Sequence, residues 1–259
     1  MNTQETILQL EELKLKGMAE FYKSMQSLPV NEWPSIDLFA ARMAEAERQY
    51  RSTKKTEMYL KTSKLRYNSM LEDVYCSNER NLTKDTLMQL MDCSFIGAEN
   101  ILIDGKTGCG KSFLACALGR QACFMGYRVE YFSMNKFIER IALAKLDGTM
   151  MKVVNHIQRN DLVIFDDFGL QPLDNNSRLA LLQILEDCYM RKSVIVTSQL
   201  PVAKWYDLNF SDGDFDFHFG IAAFSCDCGV SGRIGVNPVE PAYARDSLIT
   251  AAPVDDCSV

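Results

Sequence analysis

The chain has 259 residues, 47% of them hydrophobic and 24% charged, with a formal net charge of −6 at pH 7. That is the composition of an ordinary globular protein with apolar surface for one medium domain and a smaller one. No stretch approaches the roughly 20 consecutive apolar residues of a membrane span, and Met1-Asn2-Thr3-Gln4-Glu5 lacks the basic and apolar regions of a secretory signal, so a cytoplasmic location is expected.

Residues 1–92 read as helical. Leu8, Leu15, Met18, Tyr22 and Met25 recur at spacings of 7, 3, 4 and 3, which predicts one helix face. Pro29 and Pro34 bracket a break, after which Phe39, Met43, Ala46 and Tyr50 restart the pattern. Within this region Arg42, Arg48, Arg51, Lys54, Lys55, Lys61, Lys64 and Arg66 face only Glu45, Glu47 and Glu57, an excess of +5 over residues 42–66. Tyr50, Tyr59 and Tyr67 are interleaved. Such a stripe is suited either to a solvated helix face or to neutralising nucleic-acid phosphates, with the tyrosines as stacking faces. Thr83 is the expected N-cap of a further helix carrying Leu87, Leu90 and Met91.

From about residue 93 the period changes. Strands are predicted at 100–104, 128–132, 162–165 and 193–197, and helices at 111–125, 135–145, 152–158 and 177–191. Strands alternating with helices imply a parallel sheet covered on both faces.

After Leu208 the character shifts: residues 209–259 hold three of the seven Pro, no Lys and no sustained period of 3.6 or 2, and are not expected to continue the sheet. They also hold the whole net charge, Arg233 and Arg245 against eight acids, whereas residues 1–208 carry 26 basic and 26 acidic groups. The low global pI therefore says little about partners of the main body. Of nine cysteines the nearest pair is Cys226 and Cys228, with no second pair to complete a zinc site.

The chemistry lies at the strand ends. Residues 100–104 run directly into Gly105-Lys106-Thr107-Gly108-Cys109-Gly110-Lys111-Ser112, and a helix begins at the lysine. This is the strand–loop–helix setting of a phosphate loop. Glycine permits the backbone angles that turn successive N–H groups toward one anion, and the helix N-terminus adds partial positive charge. ATP with Mg2+ is expected here, held by residues 105–112 and Phe113, with Lys111 on the β- and γ-phosphates and the Ser112 hydroxyl on the metal. The second predicted strand end, Asp166-Asp167, supplies a metal ligand in Asp166 and a residue in Asp167 that orients or deprotonates the attacking water. A third, Thr197-Ser198-Gln199, places Gln199 to sense the γ-phosphate. Lys111, Asp167 and Gln199 are thus the expected catalytic residues, and Ser112 and Asp166 the metal ligands. Asp167-Phe168-Gly169 spells a kinase metal motif, but the kinase catalytic-loop pattern is absent upstream.

The ordered set of phosphate loop, Asp166-Asp167 strand, Thr197-Ser198-Gln199 strand end and helical front resembles the IstB-like ATPases. These are transposition helpers of bacterial insertion sequences and relatives of the DnaC helicase loaders. Further echoes are Gly17-Met18-Ala19, Ala117-Leu118-Gly119-Arg120-Gln121-Ala122, Gly126-Tyr127-Arg128-Val129, Pro172-Leu173 and Leu200-Pro201 with Trp205, so that the likeness runs from about residue 5 to 208. It implies an α/β P-loop NTPase of the AAA+ type, a parallel sheet sandwiched by helices behind a small all-helical domain. The implied divisions are a helical domain at 1–92, the ATPase core at 93–208 and a divergent acidic tail at 209–259. It implies homo-oligomers on double-stranded DNA and delivery of target DNA to a transposase; a helicase loader serving a replicative helicase, or an ATP-dependent DNA clamp with little hydrolysis, are the alternatives. The family usually has Glu at the position of Asp167 and Asn at that of Gln199. It also continues past Trp205 with a helix bearing an arginine finger, a feature that 209–259 does not show. That ending has the pattern of a frameshifted or truncated gene, and whether ATP is hydrolysed then depends on a finger being supplied.

Overall fold

The computed structural model describes residues 3–77, 80, 82–188 and 191–200, and the backbone of Ile221–Ser225. The chain forms two compact units, Met1–Thr62 and Ser63–Val259.

The first unit contains α1 (Thr3–Glu12), α2 (Lys16–Gln26) and nearly all of α3 (Ile36–Ser63). The single helix face predicted for Leu8 to Met25 is corrected to two helices, because Lys14 adopts φ +60 and breaks the helix where no Gly or Pro announces it. Leu8 is accordingly 52% exposed. The break between Pro29 and Pro34 is present, with a 3-10 turn at Val30–Glu32. Around it Phe39 meets Phe21, Tyr22 and Trp33, the last stacked at 5.7 Å. The α2 N-terminus abuts α3 through Gly17, whose N–H donates to Glu47 Oε2 at 2.8 Å, with Met18 N–H at 3.2 Å on the same oxygen. The carboxylate thereby caps two orphan donors of α2. A Cβ on residue 17 would stand 2.6 Å from the Ala46 carbonyl oxygen, so only glycine permits this approach.

The second unit holds α4 (Lys84–Met91), β1 (Asn100–Asp104), α5 (Lys111–Phe124), β2 (Val129–Ser133), α6 (Met134–Leu146), α7 (Met150–Ile157), β3 (Leu162–Phe168), α8 (Asn175–Cys188), β4 (Ser193–Ser198) and β5 (Ile221–Ser225). Thr83 caps α4 as expected, accepting from Thr86 N–H at 3.1 Å. The strands form one parallel sheet in the order β2-β3-β4-β1-β5. Side chains alternate across it. Ile164 points to α5, where Gly119 leaves room for its Cδ1, whereas Val163 and Phe165 enter the core formed with Phe137, Ile141, Val154, Ile157 and Ile184 of α6, α7 and α8. Both faces are therefore covered, which explains the near-continuous apolar runs of the strands.

β5 joins the sheet from the part of the chain after Leu208, which does not read as its continuation. It pairs with the free edge of β1 in the register Asn100↔Ile221 to Asp104↔Ser225. Its Ile-Ala-Ala-Phe-Ser run is short, with two alanines in five residues, a weak local signal, and the pairing depends on an open edge 121 residues earlier in the chain. The other residues of 209–259, with Arg233, Cys226 and Cys228, and Trp205 before them, lie outside the described residues. No helix among the described residues is long and apolar enough to cross a membrane.

Candidate nucleotide site

The site forms where β1, β3 and β4 end side by side, at the carboxyl edge at which open α/β sheets bind ligands. Residues 105–110 leave β1 and return into α5, with Gly108 at φ +86 and Gly110 at φ +87, values that side chains resist. Gly110 is the residue preceding α5, so the helix starts on the loop itself. Gly105 N–H ties the loop to β4 through the Ser198 carbonyl at 3.2 Å. Lys111 is 6% exposed and folds back over the loop, donating to the carbonyls of Gly105 at 2.7 Å and Lys106 at 2.8 Å. Cys109 is buried in the loop, and its carbonyl accepts from Arg80 at 2.6 Å. Phe113 contributes its carbonyl, which accepts from Ser69 at 3.0 Å.

Ser112 Oγ donates to Asp166 Oδ1 at 2.8 Å. Asp166 is fully buried, and the same oxygen accepts from the Thr197 hydroxyl. Its Oδ2 accepts from the Tyr131 hydroxyl at 2.5 Å. Tyr131 lies opposite Ile164, two residues before Asp166 on the same face, so its long ring reaches diagonally to the carboxylate. Burial first, then the Asp166 carboxylate, push the Tyr131 hydroxyl well above the usual phenol range, so it stays a donor.

The donor set fits a magnesium ion. Oxygens about 2.9 Å apart are what bonds of about 2.0–2.1 Å at right angles require, and Ser112 Oγ and Asp166 Oδ1 are 2.8 Å apart. Among the described residues no group of three His, Cys, Asp or Glu could hold a metal. Magnesium is usually bound by one or two protein oxygens together with phosphates.

Asp167 takes φ +63, in the left-handed region, within a bulge where two β3 residues, Asp166 and Asp167, oppose the single Thr197 of β4. The bulge carries the strand to Phe168 rather than ending it at 165. Its N–H donates to Thr197 Oγ1 at 3.1 Å and its side chain is 33% exposed. Gln199 Oε1 accepts from Thr107 Oγ1 at 2.6 Å, so the β4 end reaches the loop. Lys111, Ser112, Asp166, Asp167 and Gln199, dispersed over 89 positions, thus share one strand-end cluster.

The basic stripe divides. Arg42, Arg48, Arg51, Lys54, Lys55 and Lys61 are exposed on α3. Arg48, Arg51 and Lys55 follow spacings of 3 and 4 on one face, Lys54 and Lys61 share an adjoining face, and Arg42 projects elsewhere. Arg48, Arg51 and Lys54 pair with Glu45, Glu47 and Glu57 at 2.7, 2.6 and 2.8 Å. Tyr59 is only 7% exposed and offers no stacking face. Lys64 and Arg66 leave the stripe, because α3 ends at Ser63 and Lys64 turns the chain at φ +56. Lys64 lies 3.9 Å from Glu130, and Arg66 Nη1 lies 3.5 Å from Asp167 Oδ2 and 3.7 Å from Asp166 Oδ2. A cleft of about 700 Å3 opens there, lined by Lys64, Arg66, Tyr131, Lys136, Arg140 and Asp167 with their neighbours. Local pattern offered no signal for the site roles of Tyr131 and Arg66 beyond a tyrosine inside an otherwise buried strand.

Fold and cluster define an α/β protein of the P-loop nucleotide-binding class. The profile of IstB-like ATP binding proteins matches residues 8–216, and the chain belongs to that family. It is 37% identical over 204 residues to a protein of Sinorhizobium fredii named as an insertion sequence ATP-binding protein, covering 78% of this chain and 83% of that one. It is 36% identical over 203 residues to a protein of Pseudomonas fluorescens named as the IS1162 ATP-binding protein, covering 78% and 88%. Among solved structures, a replication initiator DnaA bound to AMPPCP and single-stranded DNA shares the fold at a TM-score of 0.54 and 22% identity. That match covers 64% of this chain and spans about half (52%) of the other.

Proposed function

We propose that this insertion-sequence ATP-binding protein loads ATP with Mg2+ at the cluster, assembles as homo-oligomers on double-stranded DNA in the cytoplasm, and delivers target DNA to a transposase. The observation that carries the nucleotide part is the Ser112–Asp166 hydrogen bond beside a lysine held over loop carbonyls. With nucleotide present, Lys111 exchanges the Gly105 and Lys106 carbonyls for β- and γ-phosphate oxygens, while the loop amides and the α5 N-terminus receive the chain of phosphates. Ser112 and Asp166 would hold the magnesium ion, which when bound would neutralise phosphate charge. Tyr131 and Thr197 fix the Asp166 carboxylate. Asp167 orients the attacking water and accepts its proton, and Gln199 positions that water against the γ-phosphate. Turnover requires an arginine from a neighbouring subunit, since such fingers supply about 10^3–10^5 in rate in related enzymes.

The names of the insertion-sequence relatives support the transposition setting over helicase loading. The exposed cations of α3 support contact with the phosphate backbone without sequence preference. The test of the site is Lys111→Ala, which is expected to abolish ATP binding in equilibrium titration; tight ATP binding by that variant overturns the assignment. Charge reversal at Arg48, Arg51 and Lys55 is expected to weaken duplex binding and flatten its salt dependence. An unchanged salt slope removes α3 from the DNA surface.

A further inference from the structure

The two oxygens of Asp166 are engaged by different kinds of partner. Oδ1 faces Ser112 and Thr197, neutral donors on the loop side. Oδ2 faces the Tyr131 hydroxyl and, at 3.7 Å, the Arg66 guanidinium, which also approaches Asp167 at 3.5 Å. Two successive carboxylates at one strand end repel each other, and a cation beside both removes that cost. Arg66 supplies that charge. Its side chain also meets the Tyr131 hydroxyl, but it is 49% exposed, it borders the cleft beside Asp167, and its guanidinium lies 5.2 Å from the Tyr67 ring, which can retain a displaced cation. A divalent ion on Asp166 and a guanidinium on the same carboxylate would be like charges within a few ångströms.

We propose that Arg66 is a resident counter-ion of the Asp166–Asp167 pair, which the divalent cation must displace when nucleotide binds, so that Arg66 sets the Mg2+ concentration at which the site loads. The inference rests on the Mg2+–ATP reading above. It makes the first residues after α3 a participant in loading, and Arg66 a positioning residue for metal entry.

The experiment titrates Mg2+ into the full-length protein with a fluorescent ATP analogue and reads the Mg2+ midpoint for nucleotide binding. Arg66→Gln is expected to lower the midpoint by about 3- to 10-fold, the range for a half-exposed ion pair lost from a buried carboxylate. Arg66→Lys is expected to lower it by about 2-fold, since a compact, strongly hydrated ammonium on a flexible stem is held beside the pair less well than a guanidinium. An unchanged or raised midpoint in Arg66→Gln, with nucleotide still bound, overturns the inference and leaves the nucleotide site standing. If Arg66→Gln does not melt cooperatively, Arg66→Lys decides, and an unchanged midpoint in it has the same meaning. Nucleotide binding by the unsubstituted protein that ignores Mg2+ altogether overturns the Mg2+–ATP reading and the inference together.

Discussion

The Ser112 hydroxyl donates to the Asp166 carboxylate at 2.8 Å, joining the first turn of α5 to the end of β3 across 54 positions of chain. With Tyr131 and Thr197 on the same carboxylate, three strands and the loop helix converge on one buried acid. Asp166→Ala is expected to lower the unfolding free energy by about 1–3 kcal/mol, because the buried Tyr131 hydroxyl loses its acceptor. Asp166→Asn retains an acceptor oxygen and is expected to lose less. Urea unfolding of the two variants checks the order, and equal losses would show that the hydrogen bonds contribute little.

Asp167 allows a test that separates stability from the proposed chemistry. Its φ of +63 is a conformation that asparagine tolerates as well as aspartate. Asp167→Asn is therefore expected to keep the thermal midpoint and ATP binding, while DNA-stimulated phosphate release falls by about 10^2-fold or more. A variant with undiminished turnover would remove Asp167 from the reaction.

Gly17→Ala tests the first unit. The new methyl would meet the Ala46 carbonyl oxygen at 2.6 Å and the Glu47 Cα at 2.7 Å, backbone atoms that cannot yield as side-chain ends do. A loss of about 1–3 kcal/mol is expected, read by chemical denaturation, with ATP binding retained.

Glu47 gives that unit an acid-sensitive contact. Burial raises its pKa, but the Arg51 guanidinium and the amides of Met18 and Gly17 outweigh burial and hold it below the usual 4.5. A depressed folded-state value means stabilisation that is present above pH 4.5 and lost as pH falls below it. Glu47→Gln is expected to flatten the decline of the melting temperature below that pH; an equally steep decline would place the acid sensitivity elsewhere.

The buried thiols act at the other extreme. Burial pushes Cys93, Cys123 and Cys188 up from 9.0 to about 11. Above pH 9 the unfolded chain releases these protons while the folded chain keeps them, so their contribution is complete below 9.0 and is lost toward 11. The urea midpoint is expected to be lower at pH 10 than at pH 8, and substituting Ala at Cys123 should reduce the difference. Of the six described thiols, half-buried Cys76 is expected to react first with a thiol reagent at pH 8.

Where the chain carries a strong period, reading and structure coincide. β1 spans the predicted 100–104, α5 begins at Lys111, and Thr83 caps its helix. The disagreements lie where a contact distant in sequence overrides the local pattern. Lys14 breaks a helix whose apolar spacing continues through it, and Lys64 ends a run of cations that reads as one stripe. β3 runs through a bulge to Phe168 because β4 continues to pair with it, and β5 exists because β1 has an open edge.

The sequence by itself determined the class of site, since a phosphate loop needs its glycines, lysine and hydroxyl consecutively, between a strand and a helix. It also determined that acids would end one neighbouring strand and an amide another. Only the tertiary structure decided what surrounds Asp166. Tyr131, Thr197 and Arg66 come from three other segments, and no spacing rule connects them to the loop. Strand order and register bring them together, and whether a cation lies beside Asp166 depends on where the turn at Lys64 directs the chain.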